Sequence, residues 1–257
     1  MKHKVDNNKE DTEMAIIEKK YTIGVHHVGI LGLITNSGIL NLFEDIACSH
    51  SDMAGYGLMQ IPETHLSWVL LNWKVYVLKR VKYGTQVTLK TWARCANSFF
   101  TLRDFEMYDD ENNLVCIAST KWTLIDVDKG GMTRIPAEVI GCYKPQDDRS
   151  VFGENDIKKI KEPELPETPT FVFQIQRRDI DVNGHMHNLY YLDYAYEALP
   201  QNVYEKPEAN RFEIMYKSGA KLGNSVACYY VEQESSHYVV MKNPETNVLH
   251  AIVKFHE

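Results

Sequence analysis

Three stretches of the chain recur further along it in the same order, and this duplication restricts its possible folds more than any other feature. "LNLFEDIA" (40–47) parallels "LDYAYEAL" (192–199), "VKYGTQVTL" (81–89) reads like "AKLGNSVAC" (220–228), and "ENNLVCIASTKW" (111–122) lies over "ETNVLHAIVKFH" (245–256). The offset falls from 152 to 139 to 134 residues along the series. Equivalent elements joined by loops of different length produce such a drift, so one supersecondary unit made twice is expected. The 257 residues suit two domains of about 120 residues each.

Each half reads as a helix followed by strands. Ile39, Leu42, Phe43, Ile46 and Met53 form an apolar helical stripe behind "TNS", an N-cap signal. Leu189, Leu192, Tyr196 and Leu199 form its counterpart, with Asp193 and Glu197 at i, i+4 on a face that must be wet to hold two like charges. Runs rich in valine, threonine, isoleucine and aromatics follow: "SWVLLNWKVYVLKR", "TQVTLKTWARCA", "FFTLRDFEMY" and "NLVCIASTKWTLIDV", then "RFEIMYK", "SVACYYVEQ", "HYVVMK" and "NVLHAIVKF". "DDENN" (109–113) and "NPETN" (243–247) join the last two strands of each half.

The expected architecture is an α+β tandem (double) hotdog, each half a long central helix wrapped by a curved antiparallel β-sheet. The expected limits are a mobile N-terminal tail over 1–15, a first hotdog over 16–142, a linker over 143–170 and a second hotdog over 171–257. The linker holds four of the nine prolines and many charges, a composition suited to a surface strap.

Composition narrows the class. A net charge of −7 argues against a general nucleic-acid or anionic-membrane binder, because phosphate binding requires basic surface. The five cysteines are scattered and never spaced C-x-x-C, as expected of reduced thiols in the cytoplasm rather than of a disulfide framework or zinc site. "CSH" (48–50) sits on a helix, where i, i+2 spacing points Cys48 and His50 apart. His65, His237, His250 and His256 read most simply as strand or surface residues. No run approaches the ~20 apolar residues of a membrane span.

The densest chemistry lies in "RRDIDVNGHMHNLYYLDYAYEAL" (177–199). Asp181, Asn183 and His185 alternate, so an extended segment would place all three on one face, and Gly184 would let the backbone take a positive φ. A helix expected to begin near His187 or Asn188 would aim its free N–H groups back at them. Three readings compete: a polar turn that caps the helix, a metal site, and a site that activates water and polarises a carbonyl. A metal held by Asp181, His185 and His187 would need further ligands, and no second compact cluster supplies them. At the equivalent place the first half carries "GILGLITNS", with neither carboxylate nor imidazole. A cluster required for folding would stand in both copies, which favours a working site in the second.

The D-x-N-x-H-x-x-N pattern of Asp181, Asn183, His185 and Asn188, followed by "YYLDYAYEALP", resembles the acyl-[acyl-carrier-protein] thioesterases of plants and bacteria. "NSGILNLFEDIACSHSDMAGYG", "SWVLLNWKVYVLKRVKYGTQVTLKTW" and "MTRIPAEV" are similar to that family in order and spacing, over about residues 16–257. The resemblance implies a tandem hotdog that hydrolyses the thioester between a fatty acyl chain and the phosphopantetheine arm of an acyl carrier protein. It implies catalytic roles for Asp181, Asn183 and His185 and a substrate-binding place for Asn188. Asp181 or His185 would activate water and Asn183 would orient the water or the thioester, with no metal or organic cofactor required. The apolar first half, including Ile39–Met53, would line an acyl pocket.

In one respect the sequence departs from the family pattern. Where the family usually has an acid, followed in plant members by a cysteine, this chain carries Lys217 and Ser218. Glu213 shares a strand face with Lys217 but lies about 13 Å along it. An acidic carrier would need a local basic patch, for which Lys79, Arg80, Lys82, Arg177 and Arg178 are candidates. Hydrolysis of acyl-coenzyme A and an idle acyl-binding protein are the alternative readings. The tandem chain already supplies the two-hotdog unit, so a homodimer is compatible with it but not required.

Overall fold

The structure, a computed structural model, describes residues 15–95, 97–154 and 156–256. Apart from Ala15, the tail expected over 1–15 falls outside the described residues. The chain divides into two units, one running to Val69 and resuming over Leu78–Ile157, the other made of Leu70–Val77 and the residues from Lys158 onwards. The segment Leu66–Val77 is a single strand, β2, and its residues from Leu70 belong to the second unit.

In the first unit β1 (Ile17–Thr22), β3 (Gln86–Cys95), β4 (Phe100–Tyr108) and β5 (Leu114–Asp126) pair antiparallel in that order, and β6 (Gly131–Thr133) adds to β5. A helix, Asn36–Met53, begins where Thr35 Oγ1 accepts the Gly38 N–H at 3.0 Å, the cap that "TNS" signals. Ile39, Leu42, Phe43 and Ile46 are buried along its inner face, and the Phe43 ring lies 4.8 Å from that of Phe105 on β4. Each such side chain contributes about 1.5–3 kcal/mol by leaving water. Met53, expected in the same stripe, is instead 51% exposed in the last helical turn. Buried His50 takes the inward place there and Cys48 is exposed, so the two point apart as expected. Arg103 Nη1 lies 2.9 Å from His50 Nδ1 and donates to Thr91 Oγ1, and the guanidinium sits 5.6 Å from the centre of the Tyr143 ring. Burial lowers Arg103 to about 10.

In the second unit the β2 residues pair with β8 (Arg211–Tyr216), which is followed by β11 (Leu249–His256), β10 (Ser236–Lys242), β9 (Ser225–Gln233) and β7 (Phe171–Gln174), all antiparallel. Its helix, Tyr190–Glu197, has 8 residues against the 18 of the first, so the expectation of a long helix fails in this copy. Pro200 sets the limit, because it has no N–H to continue the ladder. Leu189 and Leu192 are buried, Tyr196 packs 5.1 Å from the Phe255 ring, and Asp193 and Glu197 face water as expected. Both units are hotdogs, and the fold is α+β with an antiparallel sheet around each helix.

Main-chain geometry repeats the duplication. A short 3-10 turn, Val25–His27 or Arg177–Asp179, leads in each unit to a loop closed by one antiparallel bridge, Val28 to Ile34 or Ile180 to Met186. Gly32 (φ +69°) and Gly184 (φ +75°) take the left-handed place in these loops, a conformation costly for residues with a Cβ. The offset is 152 throughout this region. Beyond the last turn it is 135, not the 134 read from the sequence, since Met107 pairs with Cys116 and Met241 with Ala251. The second turn is one residue longer: the Asp109 N–H reaches Asn113 O, whereas the Asn243 N–H reaches Val248 O.

Candidate functional site

The Asp181–His185 segment is a turn and not an extended strand, so the expected alternation onto one face does not occur. The Gly184 N–H donates to Asp181 O at 3.1 Å, and the Asp181 N–H to His185 O at 2.8 Å. The side chain adds to this frame. Asp181 Oδ1 accepts the backbone N–H groups of Asn183 (2.8 Å) and His185 (3.2 Å), as Asx turns do. One carboxylate oxygen is thereby committed to the loop. Asp181 takes the backbone of His185 and not its ring.

Asn183 is exposed at the loop tip, while Asp181, His185 and Asn188 are partly exposed. The His185 imidazole lies against Gly219, so closely that a Cβ on Gly219 would sit 2.7 Å from His185 Cδ2. Gly219 belongs to the segment leaving β8, which is tied on both sides: the Lys217 N–H donates to His250 O at 2.8 Å and the Met186 N–H to Ala220 O at 2.8 Å. The Tyr191 hydroxyl accepts the Ala220 N–H at 3.1 Å, and burial pushes this phenol upward, with the Asp181 charge adding to the effect. Tyr216 donates its hydroxyl proton to Asn188 O at 2.9 Å, so the main chain of Asn188 is anchored beside the site.

The helix starts at Tyr190, not at His187 or Asn188. The N–H groups of Met186 and His187 are already given to Ala220 O and Asp179 O, so they are not the free helix donors expected beside the cluster. Buried Asp179 supports the turn from behind, accepting the Gln176 N–H (2.8 Å) and the Tyr194 hydroxyl (3.0 Å).

The first unit has the same loop with different side chains. Gly29, Leu31 and Leu33 occupy the places of Asp181, Asn183 and His185, and the Ile34 N–H donates to Val81 O as the Met186 N–H does to Ala220 O. Arg80 stands where the second unit has Gly219 and reaches Ile34 O (3.0 Å) and Asn36 Oδ1 (2.9 Å). Only the second unit leaves that space to an imidazole.

Lys217 and Ser218 are both exposed on the segment next to His185. Of the proposed basic patch, Lys79 is paired with Asp109 at 2.9 Å and Arg80 is spent on its own loop, while Lys82, Arg177 and Arg178 are exposed. Sequence reasoning does not reach Tyr191 or Gly219, which carry no periodic signal. Among the described residues no three His, Cys, Asp or Glu side chains gather as metal ligands, and no helix is long and apolar enough to cross a membrane.

Comparison with known proteins finds two family domains in succession along the chain. The family described as "Acyl-ACP thioesterase N-terminal domain" matches residues 15–143, and "Acyl-ACP thioesterase C-terminal domain" matches 164–256. The chain is 25% identical over 244 residues to an oleoyl-acyl carrier protein thioesterase of Arabidopsis thaliana, covering 90% of this chain and 66% of that protein. It is 24% identical over 221 residues to a palmitoyl-acyl carrier protein thioesterase of Cuphea hookeriana, covering 79% of this chain and 51% of that one. It thus spans between about half and two thirds of these relatives. Among solved structures, an acyl-ACP thioesterase from Bacteroides thetaiotaomicron superposes with a TM-score of 0.81 at 20% identity, over 96% of this chain and 98% of that one. The 12:0-ACP thioesterase of Umbellularia californica gives 0.81 at 19% identity, over 94% and 96%, and both establish the fold. With both family domains matched in order, the chain belongs to the acyl-ACP thioesterase family.

Proposed function

We propose that the protein hydrolyses the thioester of a fatty acyl-[acyl carrier protein], releasing the free acid and the carrier's phosphopantetheine thiol. The observation that carries this reading is the contrast between two loops of one main-chain design. The second holds a carboxylate, an amide and an imidazole where the first holds glycine and two leucines.

Water attacks the acyl carbon as Asp181 or His185 takes one of its protons, giving a tetrahedral oxyanion. Collapse breaks the carbon–sulfur bond, and the proton passes to the departing sulfur. With Asp181 Oδ1 bound to the loop, Oδ2 is the oxygen left for this work. Asn183, at the exposed tip, orients water or thioester, and Asn188 lies on the substrate side. The chemistry requires no cofactor, since a thioester is already activated. The first hotdog holds the acyl chain. Lys82, Arg177 and Arg178 remain as contacts for an acidic carrier.

The test is thiol release from acyl-carrier-protein substrates of graded chain length, with matching acyl-coenzyme A as the control. Wild type is compared with Asp181→Ala and His185→Ala. Turnover that prefers the carrier protein and collapses in both variants supports the reading. Preference for coenzyme A overturns the substrate, and a folded wild type that binds acyl chains without turnover overturns the activity.

A further inference from the structure

His250 lies beneath the segment on which the His185 ring rests. It is 4% exposed and occupies a β-bulge in β11: Met241 pairs with Ala251 and Lys242 with Leu249, so His250 has no partner across the ladder. Bulges re-aim side chains and are frequent beside active sites. Its Nδ1 is 2.8 Å from Ser218 O. A carbonyl oxygen can only accept, so Nδ1 donates its proton to Ser218 O. The other ring nitrogen, Nε2, is buried and has no hydrogen-bond partner.

The first unit shows what the fold itself needs at this place. Val115 occupies the equivalent bulge, between Met107–Cys116 and Tyr108–Leu114, and is fully buried. Its carbonyl accepts the Leu78 N–H at 2.8 Å, just as His250 O accepts the Lys217 N–H at 2.8 Å. The bulge and its main-chain hydrogen bond therefore form with an apolar side chain. An imidazole adds one hydrogen bond to Ser218 and buries an unmatched polar nitrogen, a poor exchange for stability alone. The copy that carries it is the copy whose neighbouring loop is polar.

We propose that His250 is a positioning residue of the thioester site, fixing the Lys217–Ala220 segment through Ser218 O and so seating the His185 ring against Gly219. This rests on the functional reading above.

The test compares His250→Val, which copies the first unit, with His250→Asn, whose amide N–H can replace Nδ1–H. His250→Val is expected to fold with stability equal to or above wild type while kcat falls about 10–100-fold with KM little changed. His250→Asn is expected to recover most of kcat. Proton NMR of the His185 ring reads the same idea without turnover: its resonances should shift or broaden in His250→Val and return in His250→Asn. Unchanged His185 resonances in His250→Val overturn the proposal, as does kcat retained within about twofold, a loss too small for a misplaced group. A wild type without turnover overturns the functional reading instead, and the His185 resonances then decide this one alone.

Discussion

Replacing Gly219 by alanine separates the placement of His185 from the stability of the fold. The backbone of Gly219 is outside the left-handed region, so alanine is compatible with it. The added Cβ would meet His185 Cδ2 at 2.7 Å and Cγ at 3.1 Å. Moving Cδ2 out to the 3.4 Å of ordinary van der Waals contact requires the ring to retreat by about 0.7 Å. Overpacking costs about 1–3 kcal/mol, and the stiffer unfolded chain returns about 0.4–1 kcal/mol. The net loss of stability is then on the order of 1 kcal/mol, which leaves a folded protein. Activity is far more sensitive: misplacement by ~1 Å can cost ~100-fold, so kcat should fall by about 10- to 100-fold. Thiol release measured beside urea unfolding checks both numbers. Gly141→Ala is the control, since nothing lies within 4 Å of its added Cβ. A Gly219→Ala protein with wild-type kcat would show that the imidazole does not work from the position it occupies.

Other expectations are direct. Asp181→Ala removes the acceptor of two backbone N–H groups and should loosen the turn by about 1–3 kcal/mol, whereas Asp181→Asn keeps an acceptor. Thermal unfolding should therefore separate the two variants while thiol release is lost in both. Asp109 is held down to about 2, chiefly by its hydrogen bond from Lys79 and then by the Asn113 N–H. Against about 3.9 unfolded, it contributes stability above pH ~4 that is lost as pH falls through about 2. Urea midpoints at pH 5, 3 and 2 should show a shallower acid loss in Asp109→Asn. Burial pushes the Cys116 thiol up and Cys228 to about 12, so both should resist thiol reagents until the chain unfolds. Mass spectrometry of the labelled native protein reads this directly.

Periodicity and repetition were legible where burial imposes them. Ile39, Leu42, Phe43 and Ile46 announce a helix face, and all eight quoted strand runs carry strands, because strands buried over most of their length concentrate β-branched and aromatic side chains. The short edge strands Ile17–Thr22 and Phe171–Gln174 were not legible, since edges bury little and need no pattern. Nor was the length of the second helix, which Pro200 cuts short. The residue types at Asp181, Asn183 and His185 stood out, but their geometry did not. Alternation is the natural expectation for an extended segment, and a left-handed Gly184 with the Asp181 carboxylate bound to the Asn183 and His185 N–H groups overrides it. His250 reads as an ordinary strand or surface residue because a bulge is a relation between two strands. Sequence spacing within one strand cannot express it.

The paired loops hold their shape largely through main-chain bonds: the bridge at each neck, the glycine in the bend, and the N–H of Ile34 or Met186 docked on the strand-exit segment. Such a frame is indifferent to what it displays. Leu31 and Asn183 are cargo on one chassis, but a carboxylate at 29 would bring its Cβ to 3.2 Å from Cγ2 of the capping residue Thr35, which must give way. Arg80 would have to yield its space to an imidazole at 33. What keeps the first copy from displaying the same groups is therefore local space at Thr35 and Arg80 and not architecture.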